Sequence, residues 1–271
     1  MPELPEVETI RQGLAENLVG AQIQSVKLRR RDLRAPIPRQ LGRAIVGQQV
    51  DKIRRRAKYL LFDIGEHTLI SHLGMTGSWT FNESNAYRAH DHVSFCLTDG
   101  RELVFNDPRR FGLLTIVPRG RENKCSWLSH LGVEPLAADF TAEKLRMLSS
   151  GRAIPVKNFL MDQKAIVGIG NIYASEILYR ARVRPLRRVD RISIEMWREI
   201  VASAQEVLRA AIAGGGTTLR DYRSVNGQSG RFKNRLQVYG RAKLPCPTCS
   251  TAIRARVLAG RSTYWCQVCQ K

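Results

Sequence analysis

The chain has 271 residues, of which 43% are hydrophobic and 25% charged, so it can build a sizeable core and has the length for two domains. Lys and Arg number 44 against 24 Asp and Glu, a formal net charge of +20, and a field of that size draws a polyanion, with nucleic acid the usual one. No apolar run reaches transmembrane length, no basic amphipathic helix shows a broad Trp/Phe/Leu face, and the acidic, proline-rich start Met1-Pro-Glu-Leu-Pro-Glu is the reverse of a signal peptide, which sets membrane and secreted classes aside.

Val7, Ile10, Leu14 and Leu18 recur at helical spacing, with Pro5 in the first turn, Glu6 and Glu8 near the N-terminus and Gly20 as the stop. From Ile23 to Val117 the pattern changes to short alternating or β-branched runs. Val26 and Leu28, Tyr59 to Ile64, Thr68 to Ser71, Val93 to Leu97 and Leu103 to Phe105 read as strands, and Asp99-Gly100 is a hairpin signal. Many short strands with one flanking helix predict a β-sandwich.

After Leu131-Gly-Val-Glu-Pro the pattern turns helical. Thr141 is placed to cap a helix through Leu148 that Gly151 stops, and a second helix is expected from Pro155 to Met161. The turn Val167-Gly-Ile-Gly-Asn171 leads into a helix to about Ala181. Ser193 caps a longer one with Trp197, Ile200, Val201, Ala204, Leu208 and Ala211 on one face, ended by Gly214-Gly-Gly216. The polar stretch Thr217 to Lys233 reads as a mobile loop. The fold class is α+β.

The last 26 residues hold Cys246, Cys249, Cys266 and Cys269, two C-x2-C knuckles separated by 16 residues. Each knuckle aims two thiolates at one point, and four thiolates complete the tetrahedral shell of one structural Zn²⁺. Two disulfides are the alternative, but nothing in the chain suggests export, and Cys96 and Cys125 read as reduced intracellular thiols. From Thr218 to Lys271 there are eleven Lys or Arg and one acid, Asp221, so the zinc hairpin is basic. Beside it, Gly168-Ile-Gly170-Asn171 joins two helices in a helix-turn-helix-like unit whose glycines allow a close backbone approach to a phosphate.

The N-terminus carries a different chemistry. Pro2 is small enough for Met1 to be removed, and that exposes a secondary α-amine of low pKa compared with lysine, nucleophilic near neutral pH. The helix dipole lowers that pKa and Glu3 raises it, and the sequence does not decide which wins.

Taken together, Met1-Pro-Glu-Leu-Pro-Glu-Val-Glu-Thr9, Arg56-Ala-Lys-Tyr-Leu60, His72-Leu-Gly-Met-Thr-Gly77, Asp107-Pro-Arg-Arg-Phe-Gly112, Gly168-Ile-Gly-Asn-Ile-Tyr-Ala-Ser-Glu176 and Gln237-Val-Tyr-Gly-Arg241 resemble the motifs of bacterial formamidopyrimidine-DNA glycosylases, within the endonuclease VIII superfamily. The resemblance covers essentially the whole chain. It implies an N-terminal β-sandwich with a flanking helix (1–131), a helical helix-two-turn-helix domain with a lesion-covering loop (132–240) and a zinc β-hairpin (241–271), with DNA in the cleft between the domains.

It also implies a function: excision of oxidised purines from duplex DNA through a Schiff base on the N-terminal proline, then strand cleavage by β,δ-elimination. Pro2 matches the nucleophile, Glu3 the acid that assists sugar ring opening, Lys58 the lysine of β-elimination and Arg261 the arginine of δ-elimination. His90, Arg152, Lys157, Asn171 and Tyr239 fall at positions of DNA-backbone contacts. Met75, Arg109 and Phe111 match a triad that fills the void left by the flipped base, Arg109 facing the orphaned cytosine. The cysteines Cys246, Cys249, Cys266 and Cys269 match the zinc ligands. The expected partner is damaged double-stranded DNA, the chain acting as a monomer in the bacterial cytoplasm at the nucleoid.

Two competing readings remain open at this level. An endonuclease VIII-type glycosylase for oxidised pyrimidines shares Pro2, Glu3 and the zinc, but Leu4-Pro-Glu-Val7 and the triad favour the purine enzyme. A non-catalytic zinc-ribbon DNA-binding protein has no use for Pro2-Glu3.

Overall fold

A computed structural model describes residues 1–82, 86–217 and 232–271. They fall into two compact units, one built on Met1–Ser129 with the stretch beginning at Gly215, the other on His130–Gly214 with Phe232–Lys271. The expected polar loop at 217–233 lies outside the described residues, apart from Thr217 and a helical turn at Phe232–Arg235.

The first unit opens with α1 (Leu4–Leu18) and continues through β1 (Ile23–Leu28), the short α2 (Leu41–Ile45), β2 (Val50–Arg56), β3 (Tyr59–Ile64), β4 (His67–His72), β5 (Ser78–Phe81), β6 (Asp91–Leu97), β7 (Glu102–Asn106) and β8 (Leu113–Pro118). The strands form two four-stranded antiparallel sheets, ordered β1-β6-β7-β5 and β2-β3-β4-β8. One core lies between them. Trp79 of β5 stands in it with its ring 5.6 Å from Phe62 of the opposite sheet, 5.3 Å from Phe95 and 5.0 Å from Phe105. Its indole N–H donates to the Ser71 hydroxyl at 3.0 Å, so the ring's single polar atom is satisfied inside the core. Val7, Ile10, Leu14 and Leu18 of α1 bury into the same core, as their spacing predicts.

Three strands were not apparent in the sequence, and β2 shows why. Its residues Val-Asp-Lys-Ile-Arg-Arg-Arg look solvated, yet it is the edge strand of its sheet, where only Val50 and Ile53 turn inward. Its guanidinium groups are neutralised by neighbours: Arg54 pairs with Asp63 at 2.6 Å and Glu122 at 2.7 Å, and Arg55 with Glu8 at 3.0 Å. A cationic edge also discourages pairing with a foreign strand.

The second unit contains α3 (Ala142–Ser149), α4 (Val156–Leu160), α5 (Asn171–Arg180), α6 (Ile194–Ala213) and the hairpin β9 (Arg254–Leu258) and β10 (Arg261–Trp265). Thr141 and Ser193 accept the capping bonds expected of them, from the N–H of Lys144 at 3.1 Å and of Met196 at 3.3 Å. The helices share a core in which Phe159 and Trp197 pack edge to face, 5.5 Å apart. A small satellite core of Tyr179, Val238 and Ile253 supports the cysteines. The architecture is the α+β one the sequence predicts. Among the described residues no helix is long and apolar enough to cross a membrane.

Candidate active site and zinc centre

Pro2 and Glu3 lie buried at the head of α1, with Met1 half exposed in front of them. Glu3 is the residue before the helix, in extended conformation, and its N–H donates to Glu6 Oε2 at 2.9 Å. The other oxygen of Glu6, a residue only 3% exposed, accepts the N–H of Thr217 at 2.7 Å and its hydroxyl at 2.9 Å. Gly216 packs so close that a Cβ there would come 3.0 Å from Glu6 Oε1. The Glu6 carboxylate is thereby held from both sides, and it in turn holds the N–H of the peptide that follows Pro2.

Lys58 follows Ala57, which holds a positive φ of 55° in the turn between β2 and β3. Arg55 ties this turn to α1: it donates to the Ala57 carbonyl at 2.9 Å and to Glu8 at 3.0 Å. Lys58 is buried, and with Arg34 it adds to the effect of burial on His72, which is held down to about 4. His72 Nδ1 accepts the Gly74 N–H at 2.9 Å, so the neutral ring carries its proton on Nε2.

Met75 and Phe111 are 42% and 46% exposed, and Arg109 is exposed beside them. Their backbones interlock. Gly74, at φ 61°, lies where a Cβ would come 2.4 Å from the Phe111 carbonyl carbon. Fully buried Asp107 accepts from the Thr76 hydroxyl at 2.6 Å and the Gly112 N–H at 2.7 Å, and the Thr76 oxygen in turn accepts the Arg109 N–H at 3.3 Å. Arg110, at φ 56°, turns the other way: its guanidinium bonds to Asp32 at 2.5 Å. His90 is exposed, at φ 71°, and its carbonyl accepts the Asp107 N–H at 3.1 Å.

The remaining predicted residues belong to the second unit. Arg152 is half-buried, paired with Asp162 at 2.7 Å and lying over the Phe159 ring. Lys157 is 1% exposed, and its ammonium donates to Asn171 Oδ1 at 2.6 Å, the Ser262 carbonyl at 3.0 Å and Thr263 Oγ1 at 2.7 Å. It thus binds the first residue of α5 to β10. Asn171 adds a bond from its amide to the Ser262 carbonyl at 3.0 Å. Tyr239 stands edge-on to Tyr264, with its N–H on Glu176 at 2.8 Å.

Two further residues, Glu176 and Gln163, have structural roles that the sequence alone does not reveal. Glu176 accepts three successive amides, Gln237, Val238 and Tyr239, while burial pushes its carboxyl up. Gln163 takes the Gly168 N–H at 2.9 Å and donates to the Ile169 carbonyl at 3.1 Å, shaping the glycine turn. Glu176 ends the segment Gly168-Ile-Gly-Asn-Ile-Tyr-Ala-Ser-Glu176, and a carboxylate among basic and glycine-rich segments is its one sequence signal. Gln163 carries none.

The four cysteine sulfurs lie within 4.8 Å of one another, Cys246 to Cys269 at 3.8 Å and Cys249 to Cys266 at 3.5 Å. A Zn–S bond near 2.3 Å in a tetrahedron requires sulfurs about 3.8 Å apart, so the residues fit one structural zinc with no open position. The strands beyond them meet at Ala259-Gly260, both at positive φ (46° and 72°), the two-residue hairpin geometry that sets exposed Arg261 at the start of β10.

A four-thiolate hairpin on a basic helical unit puts the chain among the zinc-finger proteins, and the comparisons with known proteins narrow the class. Residues 1–114 match the formamidopyrimidine-DNA glycosylase N-terminal domain, 131–223 the H2TH domain of the same enzymes, and 243–271 the zinc finger found in FPG and IleRS. The chain belongs to the formamidopyrimidine-DNA glycosylase family. It is 48% identical to the formamidopyrimidine-DNA glycosylase of Stenotrophomonas maltophilia across all of both chains. It is 39% identical to the MutM (Fpg) protein of Thermus thermophilus, with a TM-score of 0.89 over 99% of this chain and 98% of that one. Lactococcus lactis Fpg in complex with DNA containing N7-benzyl-Fapy-dG matches at 32% identity and a TM-score of 0.91 over all of both chains.

Proposed function

We infer that the chain is a bifunctional DNA glycosylase and AP lyase that removes oxidised purines, 8-oxoguanine and formamidopyrimidines, from duplex DNA in base excision repair. The observation that carries this is the Pro2–Glu3 pair, buried at the head of α1 in a chain that matches the family from end to end. The chemistry cannot proceed inside the base stack, so the damaged nucleotide is extruded first.

With Met1 removed, the Pro2 nitrogen attacks C1′ and the C1′–N bond to the base breaks, Glu3 protonating the ring oxygen as the sugar opens. The resulting iminium makes the 2′ proton acidic. Lys58 assists its loss as the 3′ phosphate leaves, and Arg261 assists the second elimination, which releases the 5′ phosphate. Asn171, Tyr239, His90 and Arg152 grip the backbone, while Lys157, with its three donors engaged, supports Asn171 and the hairpin. Met75 and Phe111 fill the vacated space and Arg109 bonds the orphaned cytosine.

The working parts are a catalytic sandwich over 1–131, a helical DNA-gripping part over 132–240 and the zinc hairpin over 241–271. The enzyme works in the cytoplasm, where its DNA lies. Duplexes carrying 8-oxoguanine or thymine glycol, scored for nicking and borohydride trapping, test the reading. Trapping and nicking on 8-oxoguanine are expected. Preference for thymine glycol would instead make it an endonuclease VIII-type enzyme, and binding without trapping a non-catalytic zinc-ribbon protein.

A further inference from the structure

We propose that Asp107 is the positioning residue for recognition of the base opposite the lesion, acting through Thr76 and Gly112 on Met75, Arg109 and Phe111. The proposal rests on the triad reading above.

Asp107 stands immediately after β7 and is fully buried. Its two carboxylate oxygens serve two different loops. Oδ1 takes the Thr76 hydroxyl at 2.6 Å, in the loop that carries Met75, and Oδ2 takes the Gly112 N–H at 2.7 Å, in the loop that carries Arg109 and Phe111. Its main chain is equally engaged. The N–H donates to the His90 carbonyl at 3.1 Å, and the carbonyl accepts from His92 Nε2 at 2.8 Å and the Arg110 N–H at 3.2 Å. Gly112 is held so near that a Cβ would come 2.9 Å from Oδ2.

Burying a carboxylate is unfavourable unless its bonds are met, and here each bond fixes the backbone of a loop whose side chains remain exposed. Thr76 makes the link directional. Its hydroxyl proton goes to Asp107, which leaves the oxygen's lone pairs facing the Arg109 N–H at 3.3 Å. Asp107 therefore sets the Cα position from which the Arg109 guanidinium reaches out, and bidentate recognition of a base edge tolerates little displacement.

The test is single-turnover excision of 8-oxoguanine opposite cytosine and opposite adenine, alongside borohydride trapping on an abasic-site duplex, for Thr76→Val, Thr76→Ser, Asp107→Asn and Arg109→Ala. Thr76→Val keeps the shape and removes both bonds. It is expected to lower the cytosine-to-adenine ratio by about fivefold, the worth of the one neutral bond that reaches the Arg109 backbone, with trapping unchanged. Thr76→Ser restores the ratio, and Asp107→Asn, if it folds, lowers it.

If Arg109→Ala lowers the ratio and Thr76→Val does not, the positioning role is overturned while the Arg109 reading stands. An equal loss across both duplexes and trapping in Thr76→Val also overturns it, since that is the mark of a structural residue alone. If Arg109→Ala leaves the ratio unaltered, the triad reading falls and the positioning role with it.

Discussion

The Arg109 guanidinium lies over the ring of Phe111, 4.7 Å from its centroid. The stack gives a long, flexible cation a preferred direction without binding it to a carboxylate, so its donors face outward. Arg110, the next residue, is held by Asp32, whose carboxyl the hydrogen bond from Arg30 draws down to about 2. Two adjacent arginines are thus assigned opposite duties by one residue of positive φ, Arg110 at 56°.

Arg109→Ala is expected to lose activity on 8-oxoguanine opposite cytosine and to narrow the gap to adenine by roughly ten- to a hundredfold, the discrimination of one bidentate contact. Arg110→Ala should leave the gap as it is. Excision rates on the two duplexes decide it, and a change in the ratio for Arg110→Ala alone moves the assignment by one residue.

Extending the chain ahead of Pro2 with residues that cannot be removed blocks the amine. Borohydride trapping on damaged duplex should vanish while binding, read by a mobility shift, persists. Glu3→Gln should bind and release base slowly. Trapping at the normal level with a blocked terminus would refute Pro2 as nucleophile.

Removing zinc, by a strong chelator or by Cys249→Ser, should unfold the hairpin, because metal binding to so short an element is worth on the order of 10 kcal/mol of its folding free energy. Arg261 then loses its place, and Lys157 loses two of its three acceptors, the Ser262 carbonyl and Thr263 Oγ1. DNA affinity is expected to fall. Full activity in a preparation shown by metal analysis to lack zinc would contradict a structural role.

His72 gives the fold a pH dependence. Its folded value is about 4 against 6.5 for an unperturbed histidine, so between these values the unfolded chain binds the extra proton. Stability is fully present above pH 6.5 and is lost as pH falls towards 4, by on the order of 3 kcal/mol. Protonation at Nδ1 also breaks the Gly74 bond beside Met75. Urea unfolding from pH 4 to 7 should show the slope, and His72→Asn should flatten it. Equal slopes in both proteins would remove His72 as the cause.

Glu6→Gln places an amide where two chain segments present N–H groups, those of Glu3 and Thr217. A loss of about 1–3 kcal/mol in stability is expected for a buried group left unmet, read by urea unfolding. Base release should slow as well, since the residue after Pro2 is no longer fixed.

Much of this was legible in advance where local rules dominate. The spacing of Val7 to Leu18, the caps Thr141 and Ser193, the buried run Tyr59 to Ile64 and the cysteine pairs depend on neighbours a few positions away. What was hidden depends on partners far along the chain. Strand β2 looks like a solvated charge run until Asp63 and Glu122 are placed beside Arg54. The burial of Lys157 needs Ser262 and Thr263, and the linking role of Asp107 needs Thr76, 31 positions earlier. Pattern alone shows which residues bear chemistry, but not which ones hold them still.

The bond between Glu6 and Thr217 joins positions 211 apart, and a chain is made from its N-terminus. A ribosome that has released the whole sandwich sequence has still to synthesise α3 to α6 before Thr217 exists. Until then the Glu6 oxygen at the head of α1 lacks its last donors, and the nascent N-terminal half keeps a carboxylate that favours water over burial. The nucleophile's surroundings are therefore completed late in biosynthesis, and a truncated product ending within α6 would carry Pro2 without the contact that closes the ground beneath it.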